Sequence, residues 1–184
     1  LKAEIRFNQI SLFAKQNLTC NRFFLHPFSV ACYNYSRPPK KEKGVKMFSF
    51  TDTHCHLDFD RFDEDRAEVI KRAWNAGLVF ILNPGIDFET SKKAVNLAKQ
   101  HPGKIFAAVG FHPNHGKSWT KSIIGNLYEL AGCPEVLAIG EIGLDYYREH
   151  TPHQQQRKML QDQLTLAEEM YLPVVLHNRQ STED

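Results

Sequence analysis

The sequence predicts an α/β protein in which strands and helices alternate along the chain. The first observation is that five short apolar runs begin at residues 48, 78, 105, 136 and 174. Their spacing is close to the ~31 residues per unit of a ~250-residue (β/α)8 barrel. The second observation is that most runs are continuously apolar, which is typical of parallel strands buried on both faces. The pattern predicts about the first five β/α units of a (β/α)8 barrel, and a doubly wound open sheet is the alternative.

Each unit is read from the periodicity of its apolar residues. The apolar runs predict strands over residues 48–53, 78–83, 105–110, 136–140 and 174–177. Helical periodicity predicts helices over residues 63–76, 89–100 and 120–131. A fourth helix is expected to begin at Thr151 as its N-cap. Its predicted buried face consists of Leu160, Leu164 and Ala167.

Composition limits the class of protein. Apolar residues make up 42% of the chain and aromatic residues 11%, which suffices for a substantial core. No apolar run is long enough to cross a membrane, so no membrane partner is expected. The cysteines lack zinc-finger spacing and indicate reduced thiols in a cytoplasmic protein. They are Cys20, Cys32, Cys55 and Cys133.

Charge divides the chain into two parts. Residues 1–46 carry nine Lys and Arg against two acidic residues, a net charge of +7, whereas residues 47–184 have a net charge of −5. The first methionine is Met47, directly before the first predicted strand. A basic nucleic-acid-binding arm, a transit peptide and an over-extended reading frame are the alternatives for the first segment. We expect residues 1–46 to be an extension outside the fold, either disordered or an artefact of the gene prediction.

Two histidines one residue apart end the first predicted strand. Alternate side chains of an extended chain share a face, so His54 and His56 are expected to point the same way. Two converging imidazoles can hold one divalent cation. Cys55 then faces the opposite side, where we expect it to fill the core. A pair of solvated turn histidines is the alternative, and the residues downstream decide between the two.

Polar side chains recur at the carboxyl ends of the later predicted strands, where active sites lie in both candidate folds. Glu141 follows the fourth strand among apolar neighbours, and a buried unpaired carboxylate is costly, so we expect it to meet a cation. His177 ends the fifth strand and is a candidate ligand. His112 follows the third strand and Asp145 the fourth; each is either a substrate contact or a hydrogen-bonded loop residue.

Four motifs therefore stand at the predicted strand ends. They are Thr51-Asp52-Thr53-His54-Cys55-His56-Leu57-Asp58, Gly110-Phe111-His112-Pro113, Gly140-Glu141-Ile142-Gly143-Leu144-Asp145-Tyr146 and Leu172-Pro173-Val174-Val175-Leu176-His177-Asn178-Arg179. In this order and spacing they resemble the TatD family of metal-dependent deoxyribonucleases. The resemblance covers residues 47–184. It implies a TIM-type (β/α)8 barrel that hydrolyses phosphodiester bonds in DNA, with about the first five units in this chain.

The resemblance also implies a metal site with one or two ions. His54 and His56 would bind one divalent cation, and Glu141 would bridge it to a second. His177 would bind the second cation, and Mg, Mn or Zn are the expected metals. The family carries two further ligands, a histidine ending strand six and an aspartate ending strand eight, which lie beyond residue 184. We therefore expect the 184-residue chain to be a fragment with little nuclease activity.

Three residues are expected to contact the substrate, namely His112, Asp145 and Arg179. The guanidinium of Arg179 can pair bidentately with a phosphate. DNA is the expected partner, and no protein partner is identifiable. Residues 47–184 have a net charge of −5, so we expect DNA to be bound through the active site and its metal ions and not through general electrostatic attraction. The family usually carries His-Pro-His after strand three, whereas here Asn114 intervenes and displaces His115 by one position.

Two other functions compete with the nuclease. An amidohydrolase-like metalloenzyme that acts on a small ester or amide also uses a His-x-His pair on strand one. Such sites commonly place a lysine at the end of strand four, where this chain has Glu141, and this difference favours the nuclease. The other alternative is an inactive fragment that binds metal without turnover.

Overall fold

The computed structural model describes residues 49–148 and 150–184, so the prediction for residues 1–46 lies outside the described residues. The main elements are β1 (Phe50–Asp52), α1 (Arg66–Asn75), β2 (Leu78–Pro84), α2 (Phe88–Gln100), β3 (Ile105–Val109), α3 (Lys121–Ala131), β4 (Val136–Asp145), α4 (His153–Glu169) and β5 (Val174–Arg179). Two short 3-10 helices, Asp60–Phe62 and Pro113–Ser118, precede α1 and α3. Among these helices, none has the length and apolarity required to span a bilayer.

The five strands form one parallel sheet in the order β1-β2-β3-β4-β5. All four α-helices pack against it in a single core, to which they contribute residues such as Ile70, Ala94, Leu127 and Leu166. A doubly wound sheet reverses its strand order and carries helices on both faces. Here each strand pairs with its neighbour in the sequence, which is the arrangement of a β/α barrel. The predicted five units of a TIM-type barrel are therefore confirmed.

The face of the sheet turned away from the helices carries a smaller core made of strand residues only. Its buried members are Leu82, Ala108, Ala138 and Val175, with Phe80, Phe106 and Leu137 packed against them. The rings of Phe80 and Phe106 stack with centroids 5.2 Å apart. In a β/α barrel this face is the packed interior, so the strands need apolar side chains on both faces. This explains why their sequences are continuously apolar.

The observed boundaries of two strands, β1 and β4, correct the predicted ones. β1 ends at Asp52, so His54 and His56 lie in the turn after the strand. β4 continues to Asp145, and Glu141 lies within it. The reason is that β5 pairs with β4 beyond an irregularity between Ile139 and Ile142, which extends the ladder by several residues.

The start and the buried face of α4 also differ from the prediction. Pro152 is the N-cap, whereas Thr151 is buried and its hydroxyl accepts a hydrogen bond from the backbone N–H of Gly116 at 3.0 Å. Leu164 is 37% exposed, so its assignment to the buried face is wrong. Ala167 is buried and Leu160 packs against the core, as predicted. The inward stripe also runs through Gln156, Met159, Gln163 and Leu166, at helical spacing, so it includes two polar side chains.

Candidate metal centre

Side chains from four strand ends converge at one edge of the sheet, because the carboxyl ends of parallel strands meet there. His54, His56 and Glu141 form one group whose candidate ligand atoms all lie within 4.8 Å of one another. His112, Glu141 and His177 form a second such group. Glu141 belongs to both groups.

The first group consists of two imidazoles that face one carboxylate oxygen. Nε2 of His54 lies 3.2 Å from Nε2 of His56. Oε2 of Glu141 lies 3.2 Å from Nε2 of His54 and 3.6 Å from Nε2 of His56. Each imidazole is about four-fifths buried, so little water reaches the three atoms.

The protonation of His56 follows from its second ring nitrogen. Nδ1 lies 3.0 Å from the carbonyl oxygen of Pro84, which can only accept a hydrogen bond. Nδ1 therefore carries the proton in the neutral ring, and Nε2 presents a lone pair to His54 and Glu141. A lone pair and a carboxylate oxygen that face each other at this separation suit a shared divalent cation. The donor set thus fits the metal that the sequence predicts.

Phe59 fixes the plane of the His56 ring. The two rings stack with centroids 4.6 Å apart and an interplanar angle of 15°. Cys55, between the two histidines, packs against the core beneath the site, as expected. Burial, aided by the nearby carboxylates of Asp52 and Asp58, raises the pKa of the Cys55 thiol to about 12, which keeps it protonated. Cys55 belongs to neither candidate metal group among the described residues.

The carboxyl group of Glu141 presents a different oxygen to each group. Oε2 faces His54 and His56, while Oε1 lies 2.9 Å from Nδ1 of His177. Burial alone would raise the pKa of Glu141, but the contacts with the three histidines outweigh burial and hold it well below its usual range. Glu141 is thus an ionised carboxylate in a buried site, which is the state that a bridging ligand requires.

Asp145 lies on the far side of His177. Its Oδ2 is 3.3 Å from Nε2 of His177, close enough for an ion pair but without the direction of a hydrogen bond. Burial raises the pKa of Asp145, whereas the hydrogen bond from the Asn114 amide at 2.8 Å and the backbone N–H of Arg148 lower it more, and the net shift is downward. Asn114 therefore orients Asp145. His115 pairs with Asp87 at 3.3 Å and belongs to neither group.

His112 has the opposite tautomer to His56. Its Nδ1 accepts a hydrogen bond from the backbone N–H of Asn114 at 3.1 Å, so the neutral ring carries its proton on Nε2. That nitrogen lies 3.2 Å from Nδ1 of His177. Burial, followed by the neighbouring His177, lowers the pKa of His112 to about 4, so the ring is neutral near pH 7. His112 therefore directs an N–H into the site, which suits donation to a substrate oxygen better than ligation of a cation.

Asn83, the last residue of the second predicted strand, is fully buried beneath the first group. Its Oδ1 accepts a hydrogen bond from the backbone N–H of Leu57 at 2.6 Å, and its Nδ2 donates to Oδ1 of Asp58 at 2.7 Å. Burial raises the pKa of Asp58 above its ordinary value. Asn83 thereby holds the turn that carries His56. The sequence signal for this role was a polar residue, Asn83, at the end of an otherwise apolar strand.

Two buried glutamines of α4 hold the strand ends that carry the site. Oε1 of Gln163 accepts from the backbone N–H of Phe111 at 2.6 Å, and its Nε2 donates to the Phe111 carbonyl at 3.1 Å. Gln156 makes the same pair of contacts with the backbone of Asp145, at 2.8 and 3.0 Å. Each glutamine thus pairs the backbone N–H and C=O of one residue, as a neighbouring strand would. Those residues lie beside or within the site. The position of the two glutamines on the apolar stripe with Met159 and Leu166 was the sequence signal.

We expect Gln163→Met to lower the free energy of unfolding by about 2 kcal/mol, because two buried backbone groups of Phe111 lose their partner while the side-chain volume is kept. Urea denaturation measures the change. Gln161→Met, at an exposed position of the same helix, is the matched control and should shift stability by less than about 0.5 kcal/mol. Equal effects of the two substitutions would contradict the role given to Gln163.

The fold and the strand-end histidines and carboxylates together define a class, the metal-dependent hydrolases built on a β/α barrel. The chain belongs to the TatD-related DNase family, which matches residues 51–184. This result agrees with the resemblance read from the four motifs.

Two curated relatives show how similar the chain is to individual proteins. The uncharacterized metal-dependent hydrolase YabD of Bacillus subtilis (strain 168) is 37% identical over 133 residues, which are 72% of this chain and 52% of that protein. The 3'-5' ssDNA/RNA exonuclease TatD of Pantoea vagans (strain C9-1) is 40% identical over 130 residues, 71% of this chain and 50% of the relative. The chain thus spans about half the length of the curated relatives it matches.

Solved structures of TatD-family proteins have the same fold over the residues they share with this chain. The crystal structure of YJJV, a TatD homolog from Escherichia coli k12, superposes with a TM-score of 0.67 at 34% identity, over 73% of this chain and 52% of that one. A TatD family hydrolase from Entamoeba histolytica gives a TM-score of 0.66 at 26% identity, over 74% and 52% of the two chains. The five β/α units seen here therefore correspond to about half of each neighbouring structure.

Proposed function

We propose that this protein hydrolyses phosphodiester bonds in DNA and that residues 47–184 supply the first five β/α units of its barrel. In this proposal His54, His56 and Glu141 hold one divalent cation, and Glu141 and His177 hold a second. The observation that carries the proposal is the position of the Glu141 carboxylate, which presents one oxygen to each histidine group. Relatives named as nucleases support the choice of a nucleic acid over a small ester or amide.

The metal would supply the Lewis acidity that activates water and neutralises charge on a phosphate, and Mg, Mn and Zn are the candidates. The protein residues supply the geometry. The Pro84 carbonyl and the Phe59 ring orient His56, so its lone pair is directed to the cation position before any ion arrives. Glu141 supplies the negative charge that neutral imidazoles lack.

Three residues complete the site in this proposal. His112 donates the N–H on Nε2 to a non-bridging phosphate oxygen, because its Nδ1 is occupied by the backbone N–H of Asn114. Asp145 stays ionised on the far side of His177 and acts through that imidazole, whose ring it orients toward the second cation. Arg179, at the end of β5, provides a positive charge for the next phosphate.

The test is hydrolysis of a labelled oligonucleotide with Mg²⁺, Mn²⁺ or Zn²⁺. It compares the 184-residue chain with the same protein extended by any coding sequence that follows residue 184 in its gene. We expect metal-dependent cleavage that chelation by EDTA abolishes, and a much higher rate from the extended protein. Lactam and ester substrates are included in parallel. Turnover of these substrates without cleavage of DNA would contradict the proposal and favour the amidohydrolase alternative.

A further inference from the structure

An exposed tyrosine stands beside the candidate metal centre. Tyr147 follows β4 by two residues and is 55% exposed within the described residues. Its backbone N–H donates to Oδ1 of Asp145 at 3.1 Å. The other carboxylate oxygen of Asp145 lies 3.3 Å from His177. Two short contacts therefore connect Tyr147 to the second ligand group.

A cation covers one face of the Tyr147 ring. Cζ of Arg179 lies 3.8 Å from the ring centroid, at cation–π distance. Arg179 ends β5 and pairs in register with Asp145 at the end of β4. Tyr147 in the loop after β4 and Arg179 at the end of β5 therefore lie side by side, and together they present an aromatic ring and a cation at the carboxyl ends of the strands. We call Tyr147 and Arg179 the stacking pair.

We propose that the stacking pair binds one unpaired nucleobase of the nucleic acid whose backbone lies at the metal centre. This inference rests on the proposed function and adds a subsite to it. Aromatic rings and guanidinium planes are the surfaces on which unstacked bases lie, and every base offers a π-face. The adjacent positive charge of Arg179 suits the phosphate that accompanies the base. Binding at the stacking pair therefore positions the next phosphodiester at the ligand groups.

The geometry favours a single strand over a duplex. A base inside a duplex is covered on both faces by its neighbours, so it has no face free for Tyr147 unless it is first unstacked. The subsite therefore selects strands, or strand ends, whose bases are already unpaired.

The test is a double-mutant cycle that combines a substitution in the protein with removal of one base from the oligonucleotide. Binding of labelled phosphorothioate oligonucleotides, which resist cleavage, is measured by fluorescence anisotropy in Mn²⁺, with an abasic nucleotide placed at each position in turn. For the parent protein we expect one position where loss of the base weakens binding about fivefold or more. In Tyr147→Ala that penalty should fall to within about twofold, and in Tyr147→Phe, which keeps the ring, it should remain.

Tyr171→Ala is the control, because Tyr171 is 89% exposed but precedes β5, at the amino ends of the strands and away from the site. An abasic penalty that is the same in the parent and in Tyr147→Ala, or no penalty at any position, would overturn the inference. Failure of the proposed function is a different result: no cleavage of the unmodified oligonucleotide with any metal. The binding cycle does not depend on cleavage, so the two failures are distinguishable.

Discussion

Glu141→Gln is expected to weaken metal binding at least about 100-fold and to remove metal-dependent hydrolysis. Glutamine has the same size, so the change removes charge without opening a cavity. The parent carboxylate offers one oxygen to His54 and His56 and the other to His177. An amide offers only one weak acceptor and directs its NH2 group toward one of the two cation positions. Both groups therefore lose their anionic ligand in one substitution.

Metal content after dialysis, measured by mass spectrometry, tests this expectation directly. His112→Ala is the matched control, because His112 lies in the same site but carries its proton on Nε2. We expect His112→Ala to keep most of its metal and to lose activity through weaker contact with the phosphate. Equal metal retention by Glu141→Gln and the parent protein would remove Glu141 from the metal centre.

Asn83→Leu is expected to lower the free energy of unfolding by about 3 kcal/mol. The substitution keeps the volume of a fully buried side chain but leaves two groups without their partner, the backbone N–H of Leu57 and the carboxylate of Asp58. Asp58 is itself buried, and its second oxygen has no hydrogen-bond partner within the described residues. A loss of this size corresponds to a fall in Tm of roughly 10 °C for a domain of this length.

Thermal and urea denaturation measure this loss. Asn96→Leu, at an exposed position of α2, is the control and should change stability by less than about 0.5 kcal/mol. In an Asp58→Asn background Asn83→Leu should cost less, because no ionised carboxylate is left buried. A cost that is the same in both backgrounds would show that the Asn83–Asp58 contact contributes nothing.

The barrel units were predictable from the sequence because their causes are local. Continuous apolar runs, helical periodicity and regular spacing identify parallel strands joined by helices. The candidate ligands were predictable for a related reason, since parallel strands bring their carboxyl ends together whatever the details of packing. His54 and His177 lie close to such ends, and Glu141 lies within β4 where the structure places its carboxylate against both histidines.

The roles of the residues that support the site were not predictable from local pattern. Gln156 and Gln163 share a helical stripe with Met159 and Leu166, but only the packing of α4 on β3 and β4 shows which backbone groups they satisfy. The same limit explains the errors at α4. Thr151 has the right chemistry for an N-cap, but Gly116 competes for its hydroxyl from 35 residues away. The tautomer of His112 likewise depends on a backbone contact that spacing does not reveal.

The converging side chains should bind divalent cations at two adjacent positions that share Glu141. The anomalous difference density of a crystal of this protein, grown or soaked with Mn²⁺, reports both positions. We expect one peak between Nε2 of His54, Nε2 of His56 and Oε2 of Glu141, and a second between Oε1 of Glu141 and His177. Density at other residues, with none between these atoms at saturating Mn²⁺, would contradict this expectation.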